Sequence, residues 1–235
     1  RASERQYAGL QMAQYVGLKK GALMKHVALV GDSVFDNFVY VQPGPDVQKQ
    51  LRQALPDGWD VTLCAVDGSI TDDVAEQLME LPEGVSHIVV SVGGNDGLQN
   101  LPILNTPVSS VAEGLNLLNG VITDFQSAYR QMLEELVATK IPAMVCTIYR
   151  PHFDDPLIQR VTSMALSLFN DVILSEAMEM CLPILDLRQI MNEASDYANE
   201  IEPACHGGEK MAAAIAQMVL GNEANNSANW IYVRK

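Results

Sequence analysis

The sequence predicts an α/β domain, a parallel sheet with helices packed on both of its faces. Short apolar runs alternate with segments of helical period along the chain. Most of the apolar runs are continuous rather than alternating, as strands covered on both faces require. Small and polar residues gather directly after each run, at the edge where an open α/β sheet binds its ligands.

Five runs read as strands: 26–30, 61–66, 87–92, 143–148 and 184–187. The helical segments lie between them. Residues 46–55 place Val47, Leu51 and Leu55 on one face, and 72–81 open on two acids and align Val74, Leu78 and Leu81. Residues 111–140 and 155–181 are long helical segments, the first with a break expected near Gly120. Residues 208–221 form the last helix, with Gly221 as its stop. The stretch 97–110 reads as a loop over the site edge. Right-handed crossovers bring the C-terminal ends of the strands to one edge, with the first strand expected at the centre of the sheet. With no internal repeat and no low-complexity linker, residues 24–235 read as one domain. Residues 1–23 read as an N-terminal extension, whose Tyr7, Leu10, Tyr15 and Leu18 suit a short docking helix.

Composition excludes some partners. The chain has 235 residues, enough to bury a core without disulfide or metal staples. Its 29 acidic and 15 basic residues give a formal net charge of −14. Nucleic acid is disfavoured, because phosphates need clustered Lys and Arg, and so is an anionic membrane surface. No apolar run approaches the roughly 18 residues of a membrane span. No apolar core precedes a cleavage site near the N-terminus, so no secretory signal is read. Cys64, Cys146, Cys181 and Cys205 show no Cys-x-x-Cys spacing. They are expected as buried free thiols of a reducing compartment, which places the protein in the cytoplasm.

The polar residues at the edge suit acyl transfer. Gly31-Asp32-Ser33 follows the first strand, Gly68 the second, and Gly93-Gly94-Asn95-Asp96 the third. A serine on a strand-to-helix turn presents its hydroxyl as a nucleophile. A tetrahedral oxyanion needs two or three fixed donors, and the amides of Ser33 and Gly68 with the side-chain nitrogen of Asn95 can supply them.

These three blocks, "VALVGDSVFDN", "DGSITDDV" and "VVSVGGNDGL", resemble the first three blocks of the GDSL, or SGNH, hydrolases. The resemblance runs from about Met24 to Gly221. It implies a flavodoxin-like three-layer α/β/α sandwich with a five-stranded parallel sheet. It also implies Ser33 as nucleophile and the Ser33 amide, Gly68 and Asn95 as the oxyanion hole.

The last block departs from the family pattern, Asp-x-x-His-Pro followed four residues later by Gly. Aligning Pro203 and Gly207 puts Glu202 at the family's histidine and Asn199 at its aspartate. His206, four residues past Glu202, is the first candidate base, if its loop turns back toward Ser33. Glu202 is the second, provided that burial raises its pKa. His152, after the fourth strand, is the third, and His26 and His87 fall at the opposite edge.

The expected function is hydrolysis of an O-acyl or O-acetyl ester of a small molecule or carbohydrate by a serine esterase. No metal and no organic cofactor is implied. The alternative is a catalytically impaired protein of the same fold that binds an acylated or anionic small ligand. A flavodoxin-like nucleotide binder is weaker, because "GDSVFDN" lacks a glycine-rich phosphate pattern.

Overall fold

A computed structural model describes residues 25–221, and the 1–23 extension lies outside them. The elements run β1 (Lys25–Gly31), α1 (Val47–Ala54), β2 (Trp59–Leu63), α2 (Val74–Met79), β3 (His87–Ser91) and α3 (Gly94–Gln99). They continue α4 (Val111–Ala138), β4 (Ala143–Cys146), α5 (Pro156–Glu179), β5 (Ile184–Leu185) and α6 (Cys205–Val219). The five strands form one parallel sheet in the order β2-β1-β3-β4-β5.

That order positions the site. The chain moves outward from β1 to β2, then crosses back over β1 to β3, so the winding reverses between β1 and β3. The loops after these two strands diverge and leave a crevice. Ser33 follows β1 and Asn95 follows β3, so the reversal sets them on either side of it. β1 is interior, but the central strand is β3 rather than the first strand.

Burial follows the strand period of two. Val27 and Leu29 face one layer, where α1 and α6 supply Val47, Leu51, Met211 and Ile215. Ala28 and Val30 face the other, where α4 and α5 supply Phe125, Leu133, Phe169 and Ile173. Side chains mark the helix starts. Asp46 accepts from the Lys49 amide, Ser110 from Glu113, and Asp155 from Leu157 and Ile158, with Pro156 opening α5.

Three expectations change. α4 runs unbroken through Gly120, where an added Cβ would meet nothing within 4 Å. The glycine lies on an exposed face, and packing of the buried face carries the helix past it. The end of α3 and a 3-10 turn over Leu101–Asn105 occupy the first part of the stretch expected as a loop over 97–110. Gly, Asn and Asp are poor helix formers, so propensity hides α3 in the sequence. Of the four cysteines, all free thiols, Cys146 is buried but Cys181 is exposed. Cys181 takes a left-handed conformation (φ 58°) in the turn that ends α5, which points it to solvent.

By length and composition alone α5 would pass for a membrane-crossing helix. Here it packs on α4 and gives Phe169, Val172, Ile173 and Ala177 to the core. Leu29→Ala, at a fully buried position, should lower unfolding stability by about 2–5 kcal/mol. Leu115→Ala, at an exposed one, should stay within about 0.5 kcal/mol, both read by urea denaturation.

Candidate active site

β1 ends in a turn that only glycine can enter. Gly31 sits at φ 128°, and an added Cβ would come within 1.8 Å of the Ser91 carbonyl oxygen. The buried Gln77 amide of α2 clamps this point. It accepts the Gly31 N–H at 2.7 Å and donates to the Gly31 carbonyl at 2.9 Å. Beyond it the Asp32 N–H donates to Ser91 O at 3.1 Å, and Asp32 Oδ1 accepts the Val34 N–H at 3.1 Å. Ser33 is therefore fixed just past the sheet edge, and its Oγ–H donates to Glu202 Oε1 at 3.0 Å.

Glu202 is held on a tight excursion between a 3-10 turn (Ala194–Asp196) and α6. Tyr197 and Pro203 pair across it, and the Ala204 N–H donates to Asp196 O at 2.8 Å. Asn199 Oδ1 accepts the N–H groups of Ile201 and Glu202 at 2.9 and 2.8 Å. Neighbouring loops grip both sides of Glu202. The Tyr149 hydroxyl donates to Ile201 O at 2.6 Å, and Asn37 Nδ2 donates to Pro203 O at 3.3 Å. Asn199, at the family's aspartate position, thus orders the backbone of the base candidate rather than its side chain.

The carboxylates here are far from ordinary. Burial raises the Glu202 pKa to about 7, the Ser33 hydrogen bond opposes the rise, and Asp67 adds to it. Glu202 Oε2 is buried with no hydrogen-bond partner among the described residues. Burial raises Asp32 to about 8, against the Val34 amide, and Glu202 and Asp96 push it further.

Ser33, Asn95 and Glu202 line one cleft, which encloses about 800 Å³ including space open to solvent. Its walls are largely apolar, with Leu98, Leu101, Ile148, Phe153, Leu166 and Phe169, and among the described residues no Lys or Arg lines it. Asn95 Nδ2 donates to Ser69 O at 2.8 Å, which ties the turn after β2 to the start of α3. Gly68 occupies that turn at φ 86° but is not among the cleft-lining residues. Among the described residues, the N–H groups of Ser33 and Gly68 donate to no protein acceptor.

The histidines are placed elsewhere. α6 starts at Cys205, three residues before the expected start, so His206 lies in its first turn. Its ring is half-exposed and turned toward Glu193 and Asp196, with Nε2 3.7 and 3.8 Å from their carboxylate oxygens. The hydroxyl of Ser33 meets Glu202 instead. The His152 ring stacks on Tyr197, 5.4 Å between centroids, and is not among the cleft-lining residues. His26 bonds Thr62 and His87 bonds Ser86, both at the far edge.

The model of the GDSL-like lipase/acylhydrolase family matches residues 29–211, well over half of the chain. The chain belongs to this family. No curated protein matches it in sequence. It is similar in structure to an extracellular lipase from Streptomyces rimosus, with a TM-score of 0.59 and 15% identity over 83% of this chain and 99% of that one. An acetyl xylan esterase gives 0.61 and 15% over 83% and 99%, and phospholipase A1 from Streptomyces albidoflavus 0.57 and 16% over 83% and 98%. At such identities the likeness establishes the fold, a GDSL-type α/β domain.

Asp32 was legible only as a turn residue, and Gln77, Asn37 and Tyr149 as a helix, a loop and a strand-end residue. The contacts of Gln77, Asn37 and Tyr149 join segments distant in sequence, and nothing local signals them.

The two raised carboxyls set a pH dependence of stability. Between the ordinary values, 3.8 and 4.5, and the raised ones, about 8 and about 7, the folded chain holds protons that the unfolded chain releases. Their contribution is present at low pH and is lost as pH rises through that window. Thermal melts in buffers from about pH 4 to 9 should show Asp32→Asn and Glu202→Gln gaining on wild type as pH rises.

Proposed function

We propose that this chain is a serine acyl-ester hydrolase in which Ser33 is the nucleophile and the Glu202 carboxylate, not a histidine, is the base. The 3.0 Å hydrogen bond from Ser33 Oγ to Glu202 Oε1 carries the reading. A carboxylate with an ordinary pKa is a poor general base at neutral pH, and one near 7 is matched to the task.

The steps balance through one proton. Ser33 Oγ bonds to the ester carbonyl carbon while its proton passes to Glu202 Oε1. The oxyanion takes donors from the Ser33 amide and the Asn95 side chain, the two expected donors that line the cleft, which Gly68 does not. Collapse breaks the carbon–oxygen bond to the alcohol, which leaves with the proton from Glu202. Water then attacks the acyl-serine, gives a proton to Glu202, and the acid departs as Ser33 regains its hydrogen.

Substrate class follows from the walls. An apolar cleft without Lys or Arg favours a neutral ester with an acyl chain longer than acetyl. Among the described residues the cleft offers no Lys or Arg as counter-charge to the anionic ligand of the alternative reading. One observation keeps a binding-only role as a second reading. Among the described residues no histidine lines the cleft.

On p-nitrophenyl esters from acetate to decanoate, kcat/KM should rise with chain length and then level off. Ser33→Ala should abolish turnover, and Glu202→Gln should lower it by about 10²–10⁴. Asn95→Ala should lower it by about 10²–10³, and His206→Ala, compared with wild type in EDTA-containing buffer, should leave it unaltered. A wild type that turns over none of these esters, and whose Ser33 resists phosphonylation by a fluorophosphonate, is a binder.

A further inference from the structure

We propose that Glu193, Asp196 and His206 form a binding site for a divalent transition ion of the zinc class, separate from the cleft. Their ligand atoms, two carboxylate oxygens and an imidazole nitrogen, all lie within 4.8 Å of one another. His206 Nε2 is 3.7 Å from Glu193 Oε2 and 3.8 Å from Asp196 Oδ1. Two ligands at about 2.1 Å from a tetrahedral ion sit about 3.4 Å apart, so small side-chain movements complete the set.

Asp196 supplies the observation that points to a ligand. Its side chain is fully buried, and its two oxygens are treated unequally. Oδ2 accepts the N–H groups of Asn192 and Glu193 at 2.9 Å each and Lys210 Nζ at 2.8 Å. Oδ1 is buried with no hydrogen-bond partner among the described residues, and the His206 ring nitrogen lies 3.8 Å from it. A buried carboxylate oxygen left without a donor is costly, and a cation satisfies it. Glu193 and His206 are both exposed, which leaves a path for entry and an open position for water. One imidazole with two carboxylates suits zinc better than calcium or magnesium, which prefer oxygen throughout.

The site spans the base of the Glu202 excursion. Asp196 stands where it leaves and His206 where it returns, in the first turn of α6. The two ends already touch. A Cβ on Gly207 would fall 2.4 Å from Asp196 O, so only glycine allows this approach. An ion held by both ends would close the loop that carries Glu202.

The test is titration of the EDTA-stripped chain with Zn²⁺ alone, followed by calorimetry, with Mg²⁺ as the control ion. Wild type should bind one Zn²⁺ and ignore Mg²⁺. His206→Ala and Glu193→Ala alter exposed side chains and should keep the wild-type circular dichroism spectrum. Each should weaken Zn²⁺ binding by more than the roughly 10–100-fold that loss of an outer-shell group costs. No binding by wild type at submillimolar Zn²⁺ would reduce the cluster to an ion pair and overturn the proposal. Binding that survives undiminished in both variants would place the metal on the free thiols and overturn it equally.

Discussion

The hydrogen bond between the Ser33 hydroxyl and the Glu202 carboxylate is the contact on which the site depends. It joins the first strand's turn to a loop 169 residues further along the chain. Two opposed effects meet in it. Burial destabilises the charged carboxylate, and the hydroxyl restores part of what burial removes. A fully solvated glutamate would ionise too readily to accept a serine proton. A buried one without the hydroxyl would be harder still to ionise. Between these limits the carboxyl titrates near neutrality, the range of an ordinary imidazole, which is what the proposed role as base requires.

In the proposed mechanism a glutamate does the work that the family pattern gives to a histidine, and that changes what its neighbours must do. An imidazole base has a second ring nitrogen whose N–H needs an acceptor, and an aspartate suits it. A carboxylate has no such N–H. A second acid beside it would push its pKa higher still and leave it protonated. Asn199 removes that charge and uses its side-chain oxygen on the backbone amides of Ile201 and Glu202. The two departures from the family pattern are in this sense one change, and Tyr149 and Asn37 complete the support from loops after β4 and β1.

Much of the fold could be read in the chain because it is written in local periods. All five strands fall within a few residues of their apolar runs, since strands covered on both faces leave continuous apolar sequence. Ser33 and Asn95 were legible for a related reason. A strand that stops on Gly-Asp-Ser, or on Gly-Gly-Asn-Asp, marks the sheet edge directly. Which of the candidate bases faces Ser33 was not legible. Glu202 and His206 are four residues apart on one loop, and which of them faces Ser33 depends on where α6 begins. That start, at Cys205, is fixed by the approach of Gly207 to Asp196 and by the Gln50 amide donating to Cys205 O at 2.7 Å. Neither contact has a local signature. The strand order likewise depends on packing, and it put β3 rather than β1 at the centre.

The pH dependence of kcat/KM reports the ionisation of the free enzyme's base and addresses the role of Glu202 most directly. With a neutral ester that the wild type turns over, activity should rise through a single ionisation near pH 7. That step should persist in His206→Ala and vanish with the residual activity of Glu202→Gln. A midpoint in the ordinary carboxylate range would contradict the assignment. So would a step near neutrality that disappears in His206→Ala and survives in Glu202→Gln.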